Sequence, residues 1–438
     1  MTRTVIRLDR SGDSVSLNLD RAPVDFDQDS FTIDLDRVTG NTLTERGRSL
    51  AALLTERDPL RGVLRSAFAS KSNAAPAPIY FHVRSEAADA VAWEQIFDDK
   101  QGFCALDPRW PIGRIARTST SVPGRGFKPP LRLVAVLSAA GQDGSRQLAA
   151  LLDARAGDGP DVAVHVITGD EAIRDSALAG GATAEFIGGT ATALTTQIAQ
   201  ARPHLLHILC HGQLLGGVKS LRFAKISDFD AQVKDFGSMS LPVSVLARAL
   251  KACDPWLVVL AACQTAAGAG GSSYAHELVN NGVTAVIGMR RLVDLIDTDR
   301  FCAELYPSII GLIRQAVRST KPGESVPERV IDWAEALTDP RRVMSNPDPD
   351  IVDSWLDPVL YAQADDLRVL IQIDDHPANV PYGGKPRPLS YYADLQGKLD
   401  VYRGILARLD PAAVNQAAVT EVQTLIAETE ALLAKEGE

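Results

Sequence analysis

Two runs decide the architecture: His204-Leu205-Leu206-His207-Ile208-Leu209-Cys210-His211-Gly212 and Trp256-Leu257-Val258-Val259-Leu260-Ala261-Ala262-Cys263. Each has the length of a strand, is almost wholly apolar, and stops abruptly at a reactive side chain. Near-continuous apolar runs mark strands buried on both faces, as in parallel sheets covered by helices. Gly212 closes the first run, and the small polar string Gln264-Thr265-Ala266-Ala267-Gly268 follows the second. Catalytic groups of open α/β sheets gather just beyond the carboxyl ends of strands. An imidazole at 211 and a thiol at 263, delivered there by two strands, make a candidate general base and cysteine nucleophile.

Outward from these runs the pattern is regular. Apolar stretches of strand length recur at 131–137, 162–167, 205–210, 257–262 and 283–289, with a late candidate at 367–373. Helix-like segments at 144–154, 190–200 and 243–252 separate several of them. Strands alternating with helices predict an α/β fold whose mostly parallel central sheet lies between helical layers. Upstream, 5–9 and 15–20 alternate apolar and polar residues around Arg10-Ser11-Gly12-Asp13, the signal of a β-hairpin. A helix is expected over 44–57 and a strand over 79–83. Past Asp375, the stretch 376–388 is rich in Pro and Gly and reads as a linker. Leu389, Tyr392, Leu395, Leu399, Tyr402, Leu406 and Leu409 then recur at spacings of three and four. Asp410-Pro411 is a stop and restart, and a second helix runs on to Leu433. Three parts result: a β-rich segment 1–41, an α/β domain 42–376, and a linker with an amphipathic helical hairpin 377–438. Such a hairpin needs a surface to cover its apolar stripe, and self-association or a partner protein is the preferred one.

Composition narrows the function. The chain has 438 residues, 45% of them hydrophobic, and a net charge of −10. An acidic balance argues against general nucleic-acid or anionic-membrane binding. The five cysteines are scattered without a CxxC pair, which argues against a disulfide framework or a structural zinc site. No metal or cofactor is expected. Met1-Thr2-Arg3-Thr4 opens no apolar signal segment, and no uninterrupted run reaches the roughly 20 apolar residues of a membrane span. The expectation is a cytoplasmic protein in a reducing compartment, where a reactive thiol survives.

A thiol with an unperturbed pKa of about 8.5 is mostly protonated at neutral pH, so a nucleophilic cysteine needs a base beside it. Gly212, lacking a Cβ, permits close approach of a substrate and offers its N–H to a developing oxyanion, with the N–H of Cys263 as second donor. Cys104, Cys210, Cys253 and Cys302 have apolar or helical neighbours and read as core residues. His207 shares the side-chain parity of His211, but four strand residues separate the two by about 13 Å, too far for a shared metal. His207 reads as a hydrogen-bonded core histidine. Phe186-Ile187-Gly188-Gly189-Thr190 precedes a helix but lacks a phosphate-binding fingerprint.

The neighbourhood also carries a resemblance. Leu206-His207-Ile208-Leu209-Cys210-His211-Gly212 resembles the histidine strand of the CHAT family, caspase-like cysteine peptidases, and Val259-Leu260-Ala261-Ala262-Cys263-Gln264-Thr265-Ala266 resembles its cysteine strand. Ala92-Trp93-Glu94-Gln95-Ile96, Gly282-Val283-Thr284-Ala285-Val286-Ile287-Gly288 and Trp355-Leu356-Asp357-Pro358-Val359-Leu360-Tyr361 resemble further family segments, in the family's order, across roughly residues 44–370. The resemblance implies a caspase-like three-layer fold with a less regular first half, and a regulated cysteine endopeptidase acting on a protein substrate. It also implies a His211–Cys263 dyad, control by an activating or sensor partner, and a setting in bacterial defence or cell death. A non-catalytic caspase-like scaffold is the alternative. The residues after 288 are implied to line the pocket for the side chain preceding the cut. Asp294 there would select a basic residue, whereas Arg290 or Arg291 would select an acidic one by bidentate pairing.

Overall fold

The computed structural model describes residues 3–371 except 12–13, 27–29, 59, 69–75, 118–123, 156–160, 235–236, 263–272, 292–293 and 318–327. Beyond 371 it describes only isolated positions, so the linker and helical-hairpin readings lie outside the described residues. The chain divides into two compact units, Met1–Gln372 and Ile373–Glu438, and everything that follows concerns the first.

Branched and long aliphatic residues dominate the buried strands Leu131–Leu137, Val162–Thr168, Leu205–Leu209, Leu257–Ala261 and Ala285–Met289. These stiff or bulky side chains suit a pleated surface covered on both faces. With Thr183–Phe186 at one edge, they form one half of a 12-stranded sheet in which every neighbouring pair is parallel. The other half contains Pro358–Gln363, Ile112–Arg117, Ile79–Val83 and Thr4–Ser11, also mutually parallel, and ends in the antiparallel strands Ser14–Arg21 and Ser30–Ile33. The halves meet at one antiparallel seam, where Ala285–Met289 pairs with Pro358–Gln363. The fold is therefore α/β with a large, mostly parallel central sheet, as the alternation of runs predicts.

Two apolar cores, one on each face, cover the sheet. Leu205, Leu209, Leu257 and Val259 enter one; Leu206, Ile208, Val258 and Leu260 enter the other. Period-two alternation explains how one uninterrupted apolar run serves both. The β-rich N-terminal segment is no separate body: Val5 to Leu8 pair with Tyr80 to Val83 inside the same sheet. The late candidate strand, Leu367–Ile371, lies apart from the main sheet, between Glu328–Ile331 and Arg125–Phe127 in a small sheet of its own. The longest helix among the described residues, Leu295–Val317, has no counterpart in the sequence pattern because Pro307 sits inside it. An interior proline removes a backbone hydrogen bond and normally ends a helix. Here the buried stripe Phe301, Leu305, Tyr306, Ile309, Ile310 and Ile313 holds the helix on the sheet despite that loss. No helix among the described residues is long and apolar enough to cross a membrane.

His207 lies wholly inside the first core. Its Nδ1 accepts from the Tyr306 hydroxyl at 2.6 Å and its Nε2–H donates to the Gln147 Oε1 at 2.9 Å. Burial lowers its pKa to about 3, and burial with the nearby Arg132 does the same to His204. Both imidazoles are neutral in the folded chain and take protons more readily when unfolded, near pH 6.5. Stability should be at its full value above pH 6.5 and decline as pH falls from there toward 3. A His207→Gln variant, less stable at neutral pH, is expected to lose less thermal stability than wild type between pH 7 and 5. Parallel loss in both proteins would show that His207 does not contribute.

Candidate functional site

The register of two strands sets the site. Leu205–Leu209 pairs in parallel with Leu257–Ala261, rung for rung from Leu205 opposite Leu257 to Leu209 opposite Ala261. His211 follows the last rung by two residues on one strand, and Cys263 follows it by two on the other. Ala262 is buried and is the last described residue of the cysteine strand; Cys263 itself lies outside the described residues. A small cavity lined by Gln142, Cys210, Ala262, Met289 and Thr298, among others, opens at these carboxyl ends.

His211 does not stand at a bare strand end. It begins a second strand, His211–Leu215, which folds back antiparallel on Val218–Phe223, itself paired with Met239–Pro242. Residues 211–223 thus form the hairpin of a small sheet. Its turn has φ of 54° at Gly216 and 82° at Gly217. Two consecutive left-handed positions make the tight hairpin turn whose twist matches paired strands, and glycine adopts them without steric cost. Leu221, Phe223 and Leu241 bury one face of the small sheet in the second core. Its base is fastened to the main sheet by Ser138, whose Oγ donates to the Ala224 carbonyl at 2.6 Å and whose carbonyl accepts from the Ala224 N–H at 2.9 Å.

The half-buried His211 places Nε2 2.8 Å from the Ala140 carbonyl. A carbonyl only accepts, so Nε2 carries a proton and donates. Ala140 carried no signal in the sequence, because the group that orients the imidazole is backbone. Gly141, next in the loop, has φ of +73°, and a Cβ there would lie 2.2 Å from the Lys234 carbonyl oxygen. Only glycine fits that turn without moving the carbonyl that holds the histidine.

Elsewhere the sequence candidates have their own partners. Asp294 is exposed and serves the start of the long helix, its Oδ1 accepting from the Ile296 N–H at 2.9 Å. Arg291 pairs with Asp357 at 2.7 Å and Asp353 at 2.6 Å, and hydrogen bonds to these carboxylates push its pKa further up. Arg290 donates to Glu94 at 2.9 Å and to the Ala90 carbonyl at 3.2 Å. Glu94, wholly buried beside the stacked rings of Trp93 and Phe81, also receives Arg114 at 3.1 Å. Burial would raise the Glu94 pKa, but Arg114, Arg290 and Arg341 hold it down to about 2. These contacts assign Arg290 and Arg291 to internal ion pairs. Burial pushes the thiols of Cys104 and Cys302 far up and that of Cys253 to about 11, which makes them poor nucleophiles. Thr190 caps the helix Ala191–Ala201 through the Ala193 N–H, a structural duty for the glycine-bearing stretch before it. Among the described residues, no group of three or more His, Cys, Asp or Glu side chains is placed to hold a metal.

A mostly parallel α/β sheet, with His211 just past the end of one of two adjoining buried strands, frames the candidate site. Residues 164–337, less than half of the chain but including both runs, match the family model described as the CHAT domain. Among solved structures, the chain is similar at 13% identity and a TM-score of 0.37 to separase of Saccharomyces cerevisiae in its complex with securin, covering 72% of this chain and 17% of that one. It is similar at 10% identity and a TM-score of 0.38 to the Arg-specific cysteine proteinase gingipain R, covering 75% and 69% of the two chains. A comparison with curated proteins finds no match.

Two outcomes follow from this geometry. Gly141→Val should displace the Ala140 carbonyl and slow alkylation of Cys263 at neutral pH while leaving a folded protein; an unchanged alkylation rate would separate the loop from the histidine. Glu94→Gln leaves Arg114, Arg290 and Arg341 without their central carboxylate and should cost about 3–5 kcal/mol in urea unfolding, the usual effect of breaking a buried ion pair. A loss below about 1 kcal/mol would mean that the network is dispensable.

Proposed function

We propose that this chain is a cysteine endopeptidase whose nucleophile is Cys263 and whose general base is His211. The observation that supports it is the shared register: Leu209 faces Ala261, and two residues lead from each to the imidazole and the thiol. Adjacent strands lie about 4.8 Å apart and successive Cα atoms about 3.8 Å apart, so chain connectivity keeps the two groups in one neighbourhood. Nδ1 of His211 takes the thiol proton, and the thiolate attacks the scissile carbonyl carbon. The oxyanion is received by the backbone N–H groups of Gly212 and Cys263. On collapse the carbon–nitrogen bond breaks, the imidazolium returns its proton to the leaving amine, and a thioester remains on Cys263. Water, deprotonated by the same imidazole, then releases the acid and restores the thiol.

The substrate on this reading is a protein, and control falls to a partner or sensor, with the terminal helices as a surface for that partner or for a second copy. On this reading the enzyme would act in bacterial defence or cell death, a setting that rests on analogy with the family alone. The test is proteolysis of unfolded casein and a fluorogenic peptide panel, with Cys263→Ala and His211→Ala beside wild type. Each substitution should abolish cleavage with little change in thermal midpoint, and Gly212→Val should lower kcat by about 10²–10³. Full activity in His211→Ala would refute the dyad; labelling by an electrophilic peptide that does not depend on Cys263 would remove the peptidase reading, and absence of any cleavage would favour the scaffold.

A further inference from the structure

The hairpin that begins at His211 carries more than the base. Residues directly opposite in an antiparallel pair share a face. His211 stands opposite Arg222, and Gln213 opposite Ser220. These four side chains therefore form one face of the small sheet, while Leu221 and Leu241 on the other face enter the core. On the histidine face, Nε of Arg222 and Oε1 of Gln213 are both shielded from water and both lack a hydrogen-bond partner. A buried polar group left unpaired is costly, and its persistence calls for an explanation. Arg222 also differs from the other arginines around the strand ends. Arg290 is matched by Glu94, and Arg291 by Asp353 and Asp357, whereas no carboxylate among the described residues pairs with Arg222.

One atom needs an acceptor and the other a donor. An extended peptide supplies both, through its side chains and its amide groups. A guanidinium with no counter-charge, in partial shelter from water, prefers an anion to a neutral carbonyl and matches a carboxylate in its planar fork. We propose that Arg222 and Gln213 form a substrate subsite beside the dyad. Arg222 binds the carboxylate side chain of a residue flanking the scissile bond, and the Gln213 carboxamide oxygen accepts a backbone N–H of the same peptide. This deepens the peptidase reading and rests on it for the substrate. It also moves the source of specificity from the residues after Met289 to the hairpin after His211.

Two measurements separate the subsite from the reading beneath it. The first is alkylation of Cys263 by iodoacetate and by iodoacetamide, followed by site-resolved mass spectrometry, which needs no peptide cleavage. The reagents differ by a carboxylate against a carboxamide. Arg222→Gln should lower the iodoacetate-to-iodoacetamide rate ratio at Cys263 about tenfold, the scale of one charge-assisted hydrogen bond. Arg222→Lys should retain most of the ratio, and the ratio at Cys253 should not change. The second compares fluorogenic peptides carrying Asp, Glu, Asn or Gln beside the cut. Wild type should favour the acidic members, and Arg222→Gln should reduce that preference about tenfold. An unaltered ratio at Cys263 in folded Arg222→Gln protein would overturn the subsite. Absence of any cleavage by wild type would instead defeat the peptidase reading, while the alkylation ratio still decides on Arg222.

Discussion

The parallel pairing of Leu205–Leu209 with Leu257–Ala261 is the constraint on which the rest of the molecule depends. Both strands are fully buried, so each side chain is committed to one of two cores. A slip of one residue would turn every apolar group of the strand to the wrong face. The register is therefore enforced by a whole core on each side, and it sets Leu209 opposite Ala261 at the last rung, two residues before His211 on one strand and two before Cys263 in the sequence of the other. Precision at the candidate site is a by-product of apolar burial elsewhere.

The second constraint is electrostatic and lies at the seam where the sheet reverses direction. Met289 faces Pro358 there, and the chain leaving each strand is fastened to the other half. The Arg290 N–H donates to the Asp357 carbonyl at 2.8 Å, and its side chain reaches Glu94. Arg341, fully buried, donates to the Pro358 and Ile112 carbonyls at 2.9 and 3.3 Å. Arg114 reaches Asp89 at 3.0 Å as well as Glu94. Buried charges are expensive to desolvate, and these are tolerable because each meets carboxylates or carbonyls. The network joins the irregular first half of the chain to the loop bordering the strand ends. It gives Glu94, in the segment around Trp93, a physical reason to be acidic.

The hairpin after His211 adds a third layer. It is continuous with the histidine strand, closed by two glycines at positive φ, and fastened at its base by Ser138. Its position sets His211 and Arg222 opposite each other on one face, and among the described residues no carboxylate pairs with that arginine. Chemistry at the site is thus shaped from outside the main sheet as well as from its strand ends.

The five apolar runs between 131 and 289 were legible because a doubly buried strand leaves a continuous hydrophobic string, and their alternation with helices implies a parallel sheet. The N-terminal hairpin and the candidate His211 and Cys263 were legible for similar local reasons: alternation in the first case, abrupt polar stops in the second. The long helix around Pro307 was hidden because tertiary packing outweighs a local breaker. Leu367–Ile371 was misplaced because an apolar run does not say which sheet it joins. The Ala140 carbonyl is backbone and has no residue signature. The commitment of Arg290 and Arg291 to Glu94, Asp353 and Asp357, and the unmatched state of Arg222, depend on partners from about 60 to about 200 residues away along the chain. A sequence lists charges by position in the chain, but pairing is decided by distance in space. Amino-acid pattern alone therefore determined which residues carry reactive groups and which strands bury them. The tertiary structure decided which charges are paired among the described residues and which are not.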